Sequence, residues 1–156
     1  MALQLGMNAY LAYNTSGTTG GSWVTIGNVK DLTLSLESAE ADVTTRSNTG
    51  WRATVATLRD ASIEFEMIWD TDDTAFAELV DAYTTNTTIA LRCWDKESQG
   101  SGLTAMFSIT NLSRSESLEE AITASVTAKV SYDGSNPPTW SSGSTTVQIG
   151  GSSSGA

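Results

Sequence analysis

Asp70, Asp72 and Asp73 form the densest group of acidic residues in the chain. Closely spaced carboxylates begin the calcium loop of an EF-hand, which also needs a glycine at its sixth position and a glutamate at its twelfth. Counted from Asp70, those positions hold Ala75 and Asp81. A helical pattern follows directly, so we expect the aspartates to cap a helix rather than to bind a metal.

The chain also lacks the residues that the common catalytic centres need. Glu64 and Glu66 invite comparison with a glycosidase pair, but residues two apart on a strand point to one side and cannot flank a sugar. The chain has no histidine, which excludes a Ser-His-Asp or Cys-His centre and removes the commonest zinc ligand. The single cysteine, Cys93, lies in the alternating stretch TTIALRCWD and is expected to be a small buried residue. We therefore expect no enzyme, no metal and no cofactor.

The charge of the chain argues against tight binding to nucleic acid. Its 156 residues include 18 acidic and 8 basic ones, for a formal net charge of −10, and the basic residues are scattered rather than clustered on phosphate-binding patches. Such a surface suits a channel through which DNA slides without sticking. The N-terminal stretch MALQLGMNAY does not resemble a signal peptide, and no stretch reaches the ~20 apolar residues of a membrane span. We expect one domain, made in the cytoplasm, without membrane contact.

Alternating hydrophobicity predicts a mainly β fold. In ASIEFEMIWD, Ile63, Phe65 and Met67 point one way, and Glu64 and Glu66 point the other. The stretch VKDLTLSLES alternates in the same manner, with its leucines on one side. Further strands are predicted in NAYLAYN, SWVTI, TTIALRCW, LTAMFSITNLS and AITASVTAKVSYDG.

One helix is predicted in TDDTAFAELVDAYTTN. Asp72 or Asp73 stands at its start as a cap. The apolar residues that recur at helical spacing, and that we expect to face the sheet, are Phe76, Leu79, Val80 and Tyr83.

Two segments lack core residues. The stretch from Ala39 to Leu58 is polar and threonine-rich, so we interpret it as a long loop with its tip at residues 47–50. Residues 135–156 hold both prolines and much Ser and Gly, a composition that predicts a flexible segment. We therefore divide the chain into a β-domain of residues 1–134 and a C-terminal extension of residues 135–156.

The order of these elements resembles the major tail (tail tube) proteins of long-tailed bacteriophages. The resemblance is carried by DVTTRSNTGW, by DASIEFEMIWD followed directly by TAFAELVDAY, and by ASVTAKVSYDGSNPPTW, and it covers Met1 to about Trp140. It implies a β-sandwich or barrel-like subunit with one flanking α-helix. It further implies six-membered rings that stack into a tube in the virion tail, with an inner sheet facing the passing genome. Tape measure and tail terminator proteins are the implied partners, and DNA would pass without specific binding.

Two groups of residues become candidates for this role. A sheet with one apolar and one anionic face suits a channel wall, although the alternation alone does not decide which side faces the bore. The residues expected to line the lumen are Asp31, Glu37, Glu64 and Glu66. The long loop is expected to reach the adjacent ring, with Trp51 as its apolar anchor and its arginines paired to acids of another subunit. The residues expected in that contact are Asp42, Arg46, Trp51 and Arg52.

Other functions remain open at this stage. A tube of a secretion system or another virion component, such as a decoration protein, would share the same pattern. An extracellular β-sandwich that binds sugars is the alternative from a different class, because five tryptophans are present. These tryptophans lie on different elements, so packing within or between subunits explains them better.

Overall fold

The computed structural model describes residues 5–143 and 145–148, and within them the chain is mainly β with one α-helix. The helix, α1, spans Thr74–Thr84, between the fourth and fifth strands. The strands are β1 (Tyr10–Asn14), β2 (Val24–Thr25), β3 (Val29–Asp42), β4 (Thr54–Ile68), β5 (Thr88–Trp94), β6 (Ser101–Ser115), β7 (Thr123–Val130), β8 (Thr139–Ser142) and β9 (Thr145–Gln148).

All of these strands belong to one antiparallel sheet. Its order is β2-β1-β5-β6-β7-β4-β3, and β8 pairs with β6 and with β9. The long strand β6 joins the two halves, because it pairs with β5 along its first part and with β7 along its second. The prediction of a mainly β fold with one flanking helix is confirmed, with a single sheet in place of two separate ones.

The hydrophobic core lies on one face of this sheet. Ile63, Phe65 and Met67 of β4 are buried there, as their alternation predicts. Side chains from β1, β4, β5, β6, β7 and α1 meet in the same cluster, which indicates that the sheet curves around it. The helix packs on β5 and β6, so it covers the core beside the central strand.

The helix begins at the predicted residue, but its buried face differs slightly from the predicted one. The backbone N–H of Phe76 donates to Asp73 Oδ2 at 3.4 Å, so Asp73 is the cap. Phe76 and Leu79 are buried, but Tyr83 is 49% exposed. The prediction for Tyr83 is wrong because the buried side of the helix is centred on Leu79 and continues through Ala75 and Ala82 instead.

The segment after residue 134 also differs from its prediction. Strand β8 pairs with the start of β6, and Trp140 packs against the core. Backbone pairing and one large aromatic anchor therefore order residues 139–142, where composition alone predicts flexibility. Residues 144 and 149–156 lie outside the described residues. The division into a domain and an extension at residue 134 stays a prediction.

Candidate functional site

A β-hairpin arm projects from the sheet where β3 and β4 run beyond their neighbours. Strand β7 pairs with β4 only from Ser62 to Ile68, so residues 54–61 of β4 pair with β3 alone. We call residues 36–61 the arm and residues 43–53 the arm tip. The predicted loop from Ala39 to Leu58 is therefore too long, because Glu40, Ala41 and Asp42 pair with residues 54–56 as strand. Core residues are scarce between residues 39 and 58 because β7 does not continue beside this part of the hairpin.

The arm tip is held in shape by its own polar groups. The backbone N–H of Thr44 donates to Asp42 Oδ1 at 2.9 Å, and the Thr44 hydroxyl donates to the same oxygen. These bonds lower the pKa of Asp42, the side-chain bond having the larger effect. Farther out, the backbone N–H of Thr45 donates to Asn48 Oδ1 at 2.8 Å. Thr49 takes the left-handed conformation with φ 50°, which lets the chain turn back toward β4.

Trp51 lies on the outside of this ordered tip. Its side chain is 78% exposed, so it contributes little to the core of its own subunit. The structure brings all four residues predicted for the inter-ring contact, Asp42, Arg46, Trp51 and Arg52, to the lining of one shallow concavity. Tryptophan is enriched in protein interfaces relative to the rest of the surface, so Trp51 on this ordered tip is a candidate contact residue.

The second predicted group lies on the polar face of β3 and β4. Glu64 stands opposite Thr33, and Glu37 stands opposite Asp60, all on the side away from the core. Glu66 shares that face, because it alternates with the buried Phe65 and Met67. The structure thus places three predicted lumen residues, Glu37, Glu64 and Glu66, on one surface.

Asp31 is the exception among the predicted lumen residues. The register shifts between Lys30 and Leu32, so Asp31 occupies a bulge with φ 41° and has no cross-strand partner. Lys30 takes the place opposite Glu66 instead. On the next strand, Lys129 stands opposite Ser62 on the same face. The polar face is therefore mixed, with four carboxylates (Glu37, Asp60, Glu64, Glu66) and two lysines, a net charge of −2.

The half-buried Arg92 forms a contact that the sequence pattern does not predict. The guanidinium carbon of Arg92 lies 4.1 Å from the ring centroid of Trp23 and 4.2 Å from that of Trp94. Burial lowers the pKa of Arg92, while the two ring faces attract the cation. Only the alternation of Arg92 with Trp94 hinted at a shared face, since Trp23 comes from a distant loop. This stack ties the β1–β2 connection to the sheet.

Cys93 is buried, as the sequence predicts, and burial raises the pKa of its thiol to about 11. At pH 8 the reactive thiolate fraction is then about 100-fold below that of a thiol with the reference value of 9.0. We expect Cys93 of the native protein to react with a disulfide reagent at least about 100-fold more slowly than Cys93 of the protein unfolded in guanidinium. Absorbance of the released thiolate measures both rates, and equal rates would contradict the burial.

The described part of the chain offers no other chemical centre. Among those residues, no three His, Cys, Asp or Glu side chains come together as a metal site. Nor does any helix described there have the length and apolar character to cross a membrane.

Solved structures with the same fold are assemblies of phage-like tails. One is the tail of an empty gene transfer agent particle, with a TM-score of 0.72 and 17% identity over 84% of this chain and 96% of that one. Another is the SPP1 tail tube, with a TM-score of 0.67 and 14% identity over 82% and 76% of the two chains. A third is the anti-feeding prophage baseplate, with a TM-score of 0.59 and 6% identity over 84% and 93%. At these identities the likeness shows the fold, and no curated protein matches the sequence.

The fold and the exposed arm define a structural subunit of the tail-tube class. The family model for phage tail tube proteins matches residues 6–133. The chain belongs to this family, so it is a structural protein of the tail of a phage-type virion rather than an enzyme. The resemblance seen in the sequence is confirmed.

Proposed function

We propose that six copies of the chain form a ring, that the rings stack into a tube, and that the polar face of β3 and β4 lines its channel. The observation that carries this proposal is the two-sided β4 strand. Its Ile63, Phe65 and Met67 are buried in the subunit core, while Glu64 and Glu66 face away from it. The gene transfer agent tail of the same fold has C6 symmetry, which supports six copies.

Open sheet edges support lateral association. Strand β3 is the outermost strand at one end of the sheet order, and β2 is outermost at the other. An exposed edge of 14 residues invites pairing with another chain. A closed ring of copies pairs or covers such edges without leaving one free. The subunits therefore associate through these edges.

The channel wall repels DNA rather than binding it. Its carboxylates, Glu37, Asp60, Glu64 and Glu66, repel phosphate, while Lys30 and Lys129 reduce the net charge without forming a basic patch. DNA passing such a wall stays hydrated and does not exchange its counterions for lysines. Tape measure and tail terminator proteins are the partners that this role requires inside and at the end of the tube.

Microscopy of the purified protein tests the assembly. We expect concentrated native preparations to show six-fold rings and cross-striated tubes in negative stain, and native mass spectrometry to record hexamers. The physical reason is that each subunit carries open edges at both ends of its sheet. Monomers alone at high concentration would contradict the proposal. Affinity for a glycan panel without any filaments would favour the sugar-binding alternative.

A further inference from the structure

The end of the subunit opposite the arm tip is strongly acidic. Strand β4 starts at Thr54, directly after the arm tip, and ends at Ile68. The connection between β6 and β7 lies beside that end, because the backbone N–H of Trp69 donates to the Ile122 carbonyl at 2.9 Å. We call residues 69–73 and 116–122 the acidic pole. It contains no basic residue and six acidic ones: Asp70, Asp72, Asp73, Glu116, Glu119 and Glu120.

The arm tip has the opposite charge. Residues 43–53 include Arg46 and Arg52 and no acid. The only ion pair within the described residues joins Arg114 to Glu116 at 2.7 Å. Among the described residues, therefore, the two tip arginines have no carboxylate within 4 Å, and Glu119 and Glu120 have no cation within that distance.

Both surfaces also expose apolar side chains. Trp51 is 78% exposed at the arm tip, and Leu118 is fully exposed at the acidic pole. Ile68, at the end of β4, and Ile122, in the acidic pole, are also exposed, at 46% and 37%. Protein interfaces commonly combine an apolar centre with a polar rim. Both surfaces have exposed apolar side chains close in sequence to charged residues, and these charges are of opposite sign.

The arm tip and the acidic pole of one molecule are too far apart to contact each other. The 15 residues of β4 separate them, and at ~3.3 Å per residue this strand is about 50 Å long. Contact between the arm tip of one copy and the acidic pole of the next copy is therefore heterologous. Such a contact leaves one free surface at each end of the stack, so it produces an open assembly with a fixed direction.

We infer that the acidic pole is the receiving surface for the arm tip of the adjacent ring. Arg46 and Arg52 pair with Glu119, Glu120 and Asp72 of the other copy, and Trp51 covers Leu118. This inference rests on the proposed stacking of rings and adds to it the named receiving surface and the direction of the tube. It also gives cationic partners to Glu119 and Glu120, which have none within 4 Å among the described residues.

Charge reversal with rescue tests the pairing. We expect R46E/R52E and E119K/E120K each to raise the protein concentration needed for tube formation at least about tenfold, because like charges then face each other at every contact. The chain that carries all four substitutions should form tubes within about threefold of the wild-type concentration. The two double variants, each defective alone, should form mixed tubes together, because an acidic tip then meets a basic pole. Light scattering and negative stain measure assembly.

The outcomes separate this inference from the proposed function. Glu97→Lys, in the turn between β5 and β6, is a control that changes charge outside both surfaces and should leave assembly unchanged. Intact tubes from either double variant would overturn the pairing while leaving the stacked tube in place. The pairing would also be overturned if neither the chain with all four substitutions nor the mixture of the two double variants restored tube formation. A wild-type protein that forms neither rings nor tubes would overturn both proposals.

Discussion

Trp51→Ala should abolish the stacking of rings while leaving each subunit folded. The side chain is 78% exposed in the subunit, so its removal creates no cavity in the core and should change the melting temperature little. Truncating an aromatic anchor at an interface costs about 2 kcal/mol or more. If six copies make the contact in every ring, the loss is repeated six times at each ring junction. Negative stain should then show rings without tubes, and native mass spectrometry should still record hexamers.

Two variants make this result specific to the arm tip. Tyr132→Ala removes an aromatic side chain that is 79% exposed and lies outside the arm tip, so tubes should persist. Trp51→Phe retains an aromatic ring and should restore part of the assembly. A large drop in the melting temperature of Trp51→Ala, with tubes intact, would contradict the proposed contact. Trp51 would then stabilise the fold of its own subunit instead.

Replacing both Glu64 and Glu66 by Lys should slow DNA ejection and make it depend on salt. The side chains lie on the polar face of β4, away from the core residues Ile63, Phe65 and Met67, so tubes should still assemble. The double substitution replaces two negative charges per subunit by two positive ones, and lysines on the wall bind phosphate by releasing its counterions. In particles built with this variant we expect ejection at low salt to slow at least about tenfold and to recover as salt rises.

A neutral variant separates the loss of carboxylates from the gain of lysines. Glu64→Gln with Glu66→Gln removes the repulsion without offering a binding site, so ejection should stay near the wild-type rate. Fluorescence of a dye that binds released DNA follows the reaction in each case. Normal ejection at low salt by assembled Lys particles would show that this face does not line the channel.

The sequence alone determined those features that depend on burial within one subunit. Alternation along β4 identified Ile63, Phe65 and Met67 as core residues, and the structure buries all three. The aspartates before α1 predicted the cap, because a helix start leaves backbone N–H groups that a nearby carboxylate satisfies. The missing histidine excluded the common catalytic centres. Such inferences succeed because each depends only on the types of residues close together in the chain and on the periodicity of a strand or a helix.

Only the tertiary structure decided where the exposed surfaces lie. The arm extends as paired strands beyond β7, and its sequence reads as a loop because hydrophobic alternation records burial, which these strands lack in the isolated subunit. The bulge at Asp31 depends on the register with β4, which no local pattern specifies. Arg92 contacts Trp23 only because the loop before β2 folds back onto β5. The acidic pole gathers residues 69–73 and 116–122 because β4 and β7 are adjacent in the sheet. In each case the deciding contact joins residues far apart in the chain, so it exists only once the sheet has formed.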